Sequence, residues 1–141
     1  MQIENVQRRF TKKVCGCKDL SYESRLRRLN LPSLEFRRLR GDLIEMYKFT
    51  HEIYDVKTST KLFQFNTQTN TRGHPYKLLK HYSNTAKFAK FFTNRIVNIW
   101  NNLPRTVATA GTVNCFKNRI DSILKDYMYK INIDTDHLNG I

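Results

Sequence analysis

The chain has 141 residues, of which 40% are hydrophobic, so its length and composition suit one domain with a modest core. Glycine (5) and proline (3) are scarce, which excludes a low-complexity or collagen-like chain. Lys and Arg total 25 against 12 Asp and Glu, giving a formal net charge of +13. This imbalance indicates a polyanionic partner, with nucleic acid first and an anionic membrane surface second, and an ordinary basic surface is the alternative.

The cysteines and the N-terminus bear on location and cofactors. An odd number of cysteines, Cys15, Cys17 and Cys115, argues against a secreted disulfide scaffold. Residues 1–4 lack the apolar core of a signal peptide, and the apolar runs are too short to span a bilayer. We therefore expect an intracellular protein, nuclear or cytoplasmic, that is not secreted and has no membrane partner. Structural zinc prefers paired ligands at other spacings, so we expect no metal and no cofactor.

The first helix is predicted over residues 2–15. Apolar residues recur there at three- and four-residue spacing, which places Ile3, Val6, Phe10 and Val14 on one face. The other face carries Gln7, Arg8, Arg9, Lys12 and Lys13. Gly16 is a candidate C-terminal stop.

Two more helices complete a first helical segment, residues 1–55. Ser21 is the candidate N-cap of a helix over 21–29, and Pro32 separates it from the next. Ser33 is the candidate N-cap of a helix over 33–54.

Residues 56–85 are rich in Thr, Asn, Gln and Lys, which is typical of a long polar connector with weak strand content. A second helical segment, 86–128, contains predicted helices over 86–102 and 112–127, with a turn over 107–111 and Thr112 as an N-cap. The tail, 129–141, is expected to fray.

The predicted fold class is mainly α: a small helical domain with a long polar connector and at most a short hairpin. We expect its core to form around the apolar residues at helical spacing, which are Phe10, Leu26, Leu39, Leu43, Phe92, Trp100 and Phe116.

The middle of the chain has no acidic residue between Val56 and Ile120. Its basic residues are Lys57, Lys61, Arg72, Lys77, Lys80, Lys87, Lys90, Arg95, Arg105, Lys117 and Arg119. We expect these cations to project a positive potential, since none can be neutralised within the stretch.

Aromatic residues are interleaved with these cations, a combination typical of grooves that bind single-stranded nucleic acid. Helical spacing favours the core over base stacking for Phe88, Phe92 and Trp100, whereas Tyr76 and Tyr82 are better candidates for contact. The predicted nucleic-acid-binding residues are Arg8, Arg9, Lys12, Lys13, Arg37, Arg38, Arg72, Lys77, Lys80 and Tyr76. A solvated helix face is the alternative for the helical clusters.

No set of residues predicts catalysis. The sequence lacks a Gly-rich phosphate loop and a nucleophile elbow, and its acids are not clustered as a two-metal site requires. We therefore assign no catalytic residue.

Several motifs in a fixed order carry a resemblance that covers about 3–124. They are ENVQRRFTK (4–12), LSYESRL (20–26), LPSLEFRRLRGDLI (31–44), TRGH (71–74), FFTNRIV (91–97), WNNLP (100–104) and NCFKNR (114–119). In this order they resemble the C-terminal part of reverse transcriptases from non-LTR (LINE-type) retrotransposons of the jockey and CR1 type.

The resemblance implies a fragment of a transposable-element protein. Residues 1–55 would correspond to the thumb that grips the template–primer duplex, and the rest to the extension beyond it. The family's catalytic palm and its aspartate pair have no counterpart here, so RNA-directed DNA polymerase activity is expected only as part of a longer protein. The implied partner is RNA, DNA or an RNA–DNA hybrid, and the oligomeric state stays open. The alternatives are a non-functional element remnant and a cellular protein-interaction module.

Overall fold

The computed structural model describes residues 2–54, 63–67, 73–80, 85, 91–131 and 133, without the side chains of residues 2 and 3. This part of the chain is mainly helical, as predicted. Its helices are α1 (Gln2–Lys12), α2 (Tyr22–Leu29), α3 (Leu34–Thr50), α4 (Phe92–Asn101), α5 (Arg105–Ala108) and α6 (Val113–Leu124). A 3-10 turn, Lys125–Tyr127, follows α6 directly.

The predicted N-caps are confirmed, because each side-chain oxygen accepts a backbone N–H of the helix's first turn. Ser21 Oγ accepts from Ser24 N at 3.2 Å, and Ser33 Oγ accepts from Phe36 N at 3.2 Å. Thr112 Oγ1 accepts from Cys115 N at 3.1 Å.

Helix boundaries differ from the predictions by several residues. α1 ends at Lys12 rather than at residue 15, and α3 ends at Thr50 rather than at residue 54. The predicted turn over 107–111 overlaps the short helix α5. The helix predicted over 86–102 is described from Phe92 onward, and residues 86–90 lie outside the described part.

The main core forms where α3 packs against α4 and α6. Leu43, Trp100 and Phe116 are fully buried, and the Tyr47 and Phe116 rings stack at 4.5 Å. The two predicted helical segments therefore share one core. Of the predicted core residues, Leu26, Leu39, Leu43, Trp100 and Phe116 are buried, and Phe92 is half-buried against the cluster.

The described part of the connector crosses the core as two short extended pieces. Phe65 and Leu78 form an antiparallel bridge, the one β pairing among the described residues, in keeping with the predicted short hairpin. The Asn101 side chain anchors it to α4, since Asn101 Oδ1 accepts from Leu78 N and Asn101 Nδ2 donates to Leu78 O, each at 2.8 Å.

The predicted burial of Phe10 is wrong. Its side chain is 71% exposed, and Val6 on α1 and Val14 beyond its end are 59% and 41% exposed. The helix packs through a polar face instead, and the residues that hold this orientation also shape the candidate site.

Candidate nucleic-acid interface

Glu4 fixes the N-terminal end of α1 against its neighbours. The side chain is only 5% exposed. Its Oε1 accepts from the Tyr22 hydroxyl at 2.6 Å, and its Oε2 accepts from the Leu34 backbone N–H at 3.1 Å. Burial and the adjacent Glu4 carboxylate raise the pKa of Tyr22, which keeps its hydroxyl a donor. One carboxylate thus joins α1 to the beginnings of both α2 and α3.

Arg25 holds the C-terminal end of α1 in the same way. This buried guanidinium donates from Nε to Thr11 Oγ1 at 3.2 Å and from NH1 to Leu20 O at 2.6 Å. Thr11 is itself buried. The inward face of α1 therefore carries Glu4 and Thr11. Their hydrogen bonds decide the orientation of the helix, rather than burial of its apolar residues, because a buried polar group left without a partner is costly.

This orientation leaves the predicted cations of α1 outside. Arg8, Arg9, Lys12 and Lys13 are all exposed. Glu4 is the one acidic residue of α1, and its carboxylate is turned inward. The exposed surface of the helix is therefore cationic, with no carboxylate of its own to offset it.

The turn after α1 extends this cationic surface. The turn forms one side of an open depression of about 550 Å³. Three lysines line it, Lys12, Lys13 and Lys18, together with Val14, Cys15 and Gly16. Gly16 has a φ of +72°, a left-handed conformation that favours glycine, and its carbonyl accepts from Arg28 NH1 at 3.0 Å. Nothing acidic lines the depression, so an anion there would meet only positive charge.

Arg37 lies in a different place, in a groove of about 420 Å³ between α3 and the end of α6. Arg40 and Asp121 form a bidentate pair in its wall, with Nε–Oδ1 at 2.5 Å and NH2–Oδ2 at 2.8 Å. Because Arg40 pairs with the one acid of this lining, Arg37 and Lys125 leave the groove net positive. Arg38 is also exposed on α3.

The predicted residues of the connector are only partly available. Lys80 is exposed, whereas Lys77 is half-buried. The Lys77 side chain lies so close to Gly73 that a β-carbon added to Gly73 would be 2.8 Å from Lys77 Cε. The half-buried Tyr76 ring lies 4.2 Å from the His51 ring, and the Tyr76 carbonyl accepts from Trp100 Nε1 at 2.8 Å. Arg72 lies outside the described residues.

Two histidines, one buried and one half-buried, lie beside this segment. His74 is 2% exposed, and its Nε2 meets the Trp100 carbonyl at 2.8 Å. His51 is half-buried under Tyr47, with ring centroids 3.9 Å apart. Burial lowers the pKa of both histidines, so both are neutral near pH 7 and add no charge to the surface.

Not every cation of the acid-free stretch remains without a counter-charge. Arg95 on α4 donates to Asp42 on α3 from Nε and from NH2, each at 2.8 Å. The partner lies 53 residues away in the sequence, so local sequence analysis could not find it. The tertiary fold therefore gives this one cation of the stretch a counter-charge that its own segment lacks.

The structure groups the predicted site residues into separate surfaces. Arg8, Arg9 and Lys12 lie on α1 with Lys13 directly after it. Arg37 belongs to the groove beside α6. Lys77, Lys80 and Tyr76 belong to the segment beside α4. Sequence analysis missed Lys18, Lys125 and the buried Arg25. Lys18 follows the first basic cluster closely enough to have been found, but nothing local distinguishes Arg25 from an exposed arginine.

Among the described residues, no group of three or more His, Cys, Asp or Glu side chains is placed to hold a metal ion. None of the helices in the described ranges is long and apolar enough to cross a membrane. No protein-family model matches the chain, and comparisons with curated proteins and with solved structures find no match either.

Proposed function

We propose that this protein binds the phosphate backbone of RNA, DNA or an RNA–DNA hybrid through the exposed face of α1. The observation that carries the proposal is the separation of charge across this helix. Its exposed cations are Arg8, Arg9 and Lys12, continued by Lys13 directly after it, while its one carboxylate, Glu4, is buried and hydrogen-bonded. A polyanion at this face gains the cations' attraction and releases its own counterions.

The surface supports contact with phosphates more than with base edges. Lys and Arg contacts to phosphate position a nucleic acid without reading its sequence. The lysine-lined depression after α1 continues the same surface through Lys18. We therefore propose binding that tolerates many sequences and depends strongly on salt.

The resemblance to non-LTR retrotransposon reverse transcriptases supports the same proposal. In that family the thumb contacts the template–primer duplex, and the motifs that carry the likeness include most of α1 and α3. We propose that the chain derives from such a protein and is a nucleic-acid-binding fragment, not an enzyme by itself. A primer-extension assay with Mg²⁺ and deoxynucleotides is expected to give no product, and extension above a protein-free control would contradict this.

Salt dependence of binding tests the proposal directly. Fluorescence anisotropy with labelled oligonucleotides measures the dissociation constant between 50 and 200 mM salt. With phosphate contacts from the four cations of α1, affinity should fall on the order of a hundredfold across this range. Equal affinity at both ends would contradict a phosphate-based interface.

A charge-matched pair of variants locates the interface. The double variant Arg9→Gln/Lys13→Gln removes two cations from α1, and Arg105→Gln/Lys117→Gln removes two from α5 and α6. The first should reduce the slope of log affinity against log salt by about two. The second should change it less, and equal changes would show that only net charge matters.

A protein-interaction module is the second candidate, favoured by the exposed apolar side chains Val6, Phe10 and Val14. A non-functional remnant is distinguished from either module by thermal unfolding. The buried cluster around Trp100 predicts a cooperative transition, which an unfolded remnant would not show.

A further inference from the structure

We propose that Phe10 is a stacking platform for a nucleobase, so that the α1 surface binds single-stranded nucleotides in preference to duplex. This inference rests on the proposed nucleic-acid binding and specifies which form of nucleic acid the surface prefers. It begins from a large aromatic side chain that is 71% exposed in the last turn of a basic helix.

The ring of Phe10 lies among the cations already assigned to phosphate. Arg9 precedes it, and Lys13 follows one turn later, both exposed. Arg9 lies about 100° from Phe10 around the helix axis, and Lys13, in the turn just after α1, donates its backbone N–H to the Phe10 carbonyl at 3.0 Å. Both cations are therefore close to Phe10 along the chain, where they can reach the phosphates next to a base stacked on the ring.

The buried polar contacts hold this ring outward. Turning α1 so that Phe10 faces the core would break the hydrogen bonds of Glu4 to Tyr22 and Leu34, and that of Arg25 to Thr11. Burying such groups without partners destabilises the folded chain. The platform is thus presented on a rigid helix and needs no rearrangement before a base binds.

The faces of the ring are also uncovered, unlike those of several other aromatic residues in the described part. Arg8 lies over Tyr22 at 4.9 Å, Arg27 over Tyr129 at 5.4 Å and Lys130 over Tyr127 at 4.7 Å. No such ring or cation contact involves Phe10 within the described ranges. Its π-face is open where many others are occupied.

The chemistry of the patch favours a base over an acidic protein surface. Carboxylates would satisfy the cations but leave a flat aromatic ring without a matching face. A single-stranded nucleotide supplies both a phosphate and a base with an open π-face, and such stacking tolerates any base. In a duplex, the faces of the bases are covered by neighbouring base pairs, so Phe10 could stack on a base only by distorting the double helix.

Tryptophan fluorescence gives a direct readout of stacking. Phe10→Trp places an indole at the platform, while the native Trp100 is 0% exposed and contributes a background that ligand does not reach. The probes are a 12-nucleotide oligothymidylate and a duplex of the same length. We expect strong quenching of the Phe10→Trp variant by the single strand and weak quenching by the duplex.

Phe91→Trp is the matched control, because Phe91 is 61% exposed and is the residue before α4 rather than a residue of α1. It should show little quenching by either probe. Equal quenching of the two variants would mean nonspecific proximity and would overturn the proposal.

Affinity measurements separate stacking from general apolar contact. Phe10→Ala should weaken single-strand binding about tenfold while duplex affinity changes little, since one base–aromatic stack has about this effect. Phe10→Leu keeps an apolar side chain without a π-face, and it should be nearly as weak as Phe10→Ala. Wild-type affinity in Phe10→Leu would overturn stacking. Circular dichroism should show wild-type helix content in all these variants, because the side chain is exposed.

The failure of stacking and the failure of the proposed function look different. If wild-type protein binds both probes with salt dependence but Phe10→Trp is not quenched, nucleic-acid binding stands and the stacking role falls. If wild-type protein binds neither probe in dilute buffer, both fall, and the exposed ring belongs to a protein contact.

Discussion

The core around α3, α4 and α6 and the junction between α1 and α2 are built by different forces. The first buries large apolar side chains such as Leu43, Trp100 and Phe116 and gains most from their removal from water. The second also buries apolar atoms, at Leu26 and Cys17, but it encloses polar side chains among them. The chain therefore contains one region ordered by apolar burial and another oriented by hydrogen bonds.

The difference explains why one helix presents its apolar residues to solvent. Apolar burial is not directional, so it would accept α1 in the rotation that covers Phe10. Hydrogen bonds are directional, and those of Glu4 and Arg25 fix a different rotation. The same contacts that hold α1 therefore expose its cations and its aromatic ring, which links the stability of this junction to the proposed binding surface.

The largest effect is expected in the apolar core. Trp100→Ala should lower the free energy of unfolding by about 4 kcal/mol, because it leaves a cavity and removes the hydrogen bond from Nε1 to the Tyr76 carbonyl. Urea denaturation followed by circular dichroism measures this loss. The exposed Phe91→Ala should change the same quantity by less than about 0.5 kcal/mol. Similar losses for the two would contradict the placement of the core.

A smaller loss is expected at the polar junction. Glu4→Ala should lower the free energy of unfolding by about 2 kcal/mol, since the Tyr22 hydroxyl and the Leu34 N–H both lose their acceptor. A double-mutant cycle with Tyr22→Phe should show that the two losses are not additive. The exposed Asp19→Ala is the control and should be close to neutral. Additive losses in the cycle would mean that Glu4 and Tyr22 do not interact.

The buried histidines predict how acid affects the apolar core. Burial lowers the pKa of His51 and His74, so protonation is less favourable in the folded chain than in the unfolded chain. Their contribution to stability is full above the unfolded pKa of about 6.5 and is lost as pH falls through the lower, folded values. The free energy of unfolding should therefore decrease as the pH is lowered from 7 to 5.

His74→Gln tests the assignment of this pH dependence. The variant loses stability at pH 7, but its remaining stability should depend less on pH than that of the wild type. An unchanged dependence would place the titrating groups elsewhere.

The smallest effect distinguishes the observed orientation of α1 from the one that periodicity predicts. Phe10→Ser should change the free energy of unfolding by less than about 0.5 kcal/mol, because the ring is exposed and the helix propensities of Phe and Ser are similar. If Phe10 were buried, its truncation would instead lower the free energy of unfolding by roughly 3 to 5 kcal/mol, as for other core phenylalanines. A loss of that size would show that α1 packs through its apolar face.

Sequence patterns predicted helices better than they predicted which face of each helix is buried. Apolar spacing and the caps Ser33 and Thr112 located α3 and α6, because both signals are local. The same spacing failed for α1, where Glu4 lies with its partners 18 and 30 residues away. The sequence predicted only part of the candidate site, because it reveals local clusters of charge but not distant pairings. Clusters such as Arg8 and Arg9 are visible in one turn of helix, whereas the pairing of Arg95 with Asp42 depends on the fold.

By itself, the sequence determined the helical class, the caps, the excess of positive charge and the places along the chain where cations cluster, since each of these depends on neighbouring residues. Only the tertiary structure decided which cations pair with distant acids and which way α1 turns. Those outcomes depend on competition between apolar burial and buried hydrogen bonds, and the partners in that competition meet only when the chain folds.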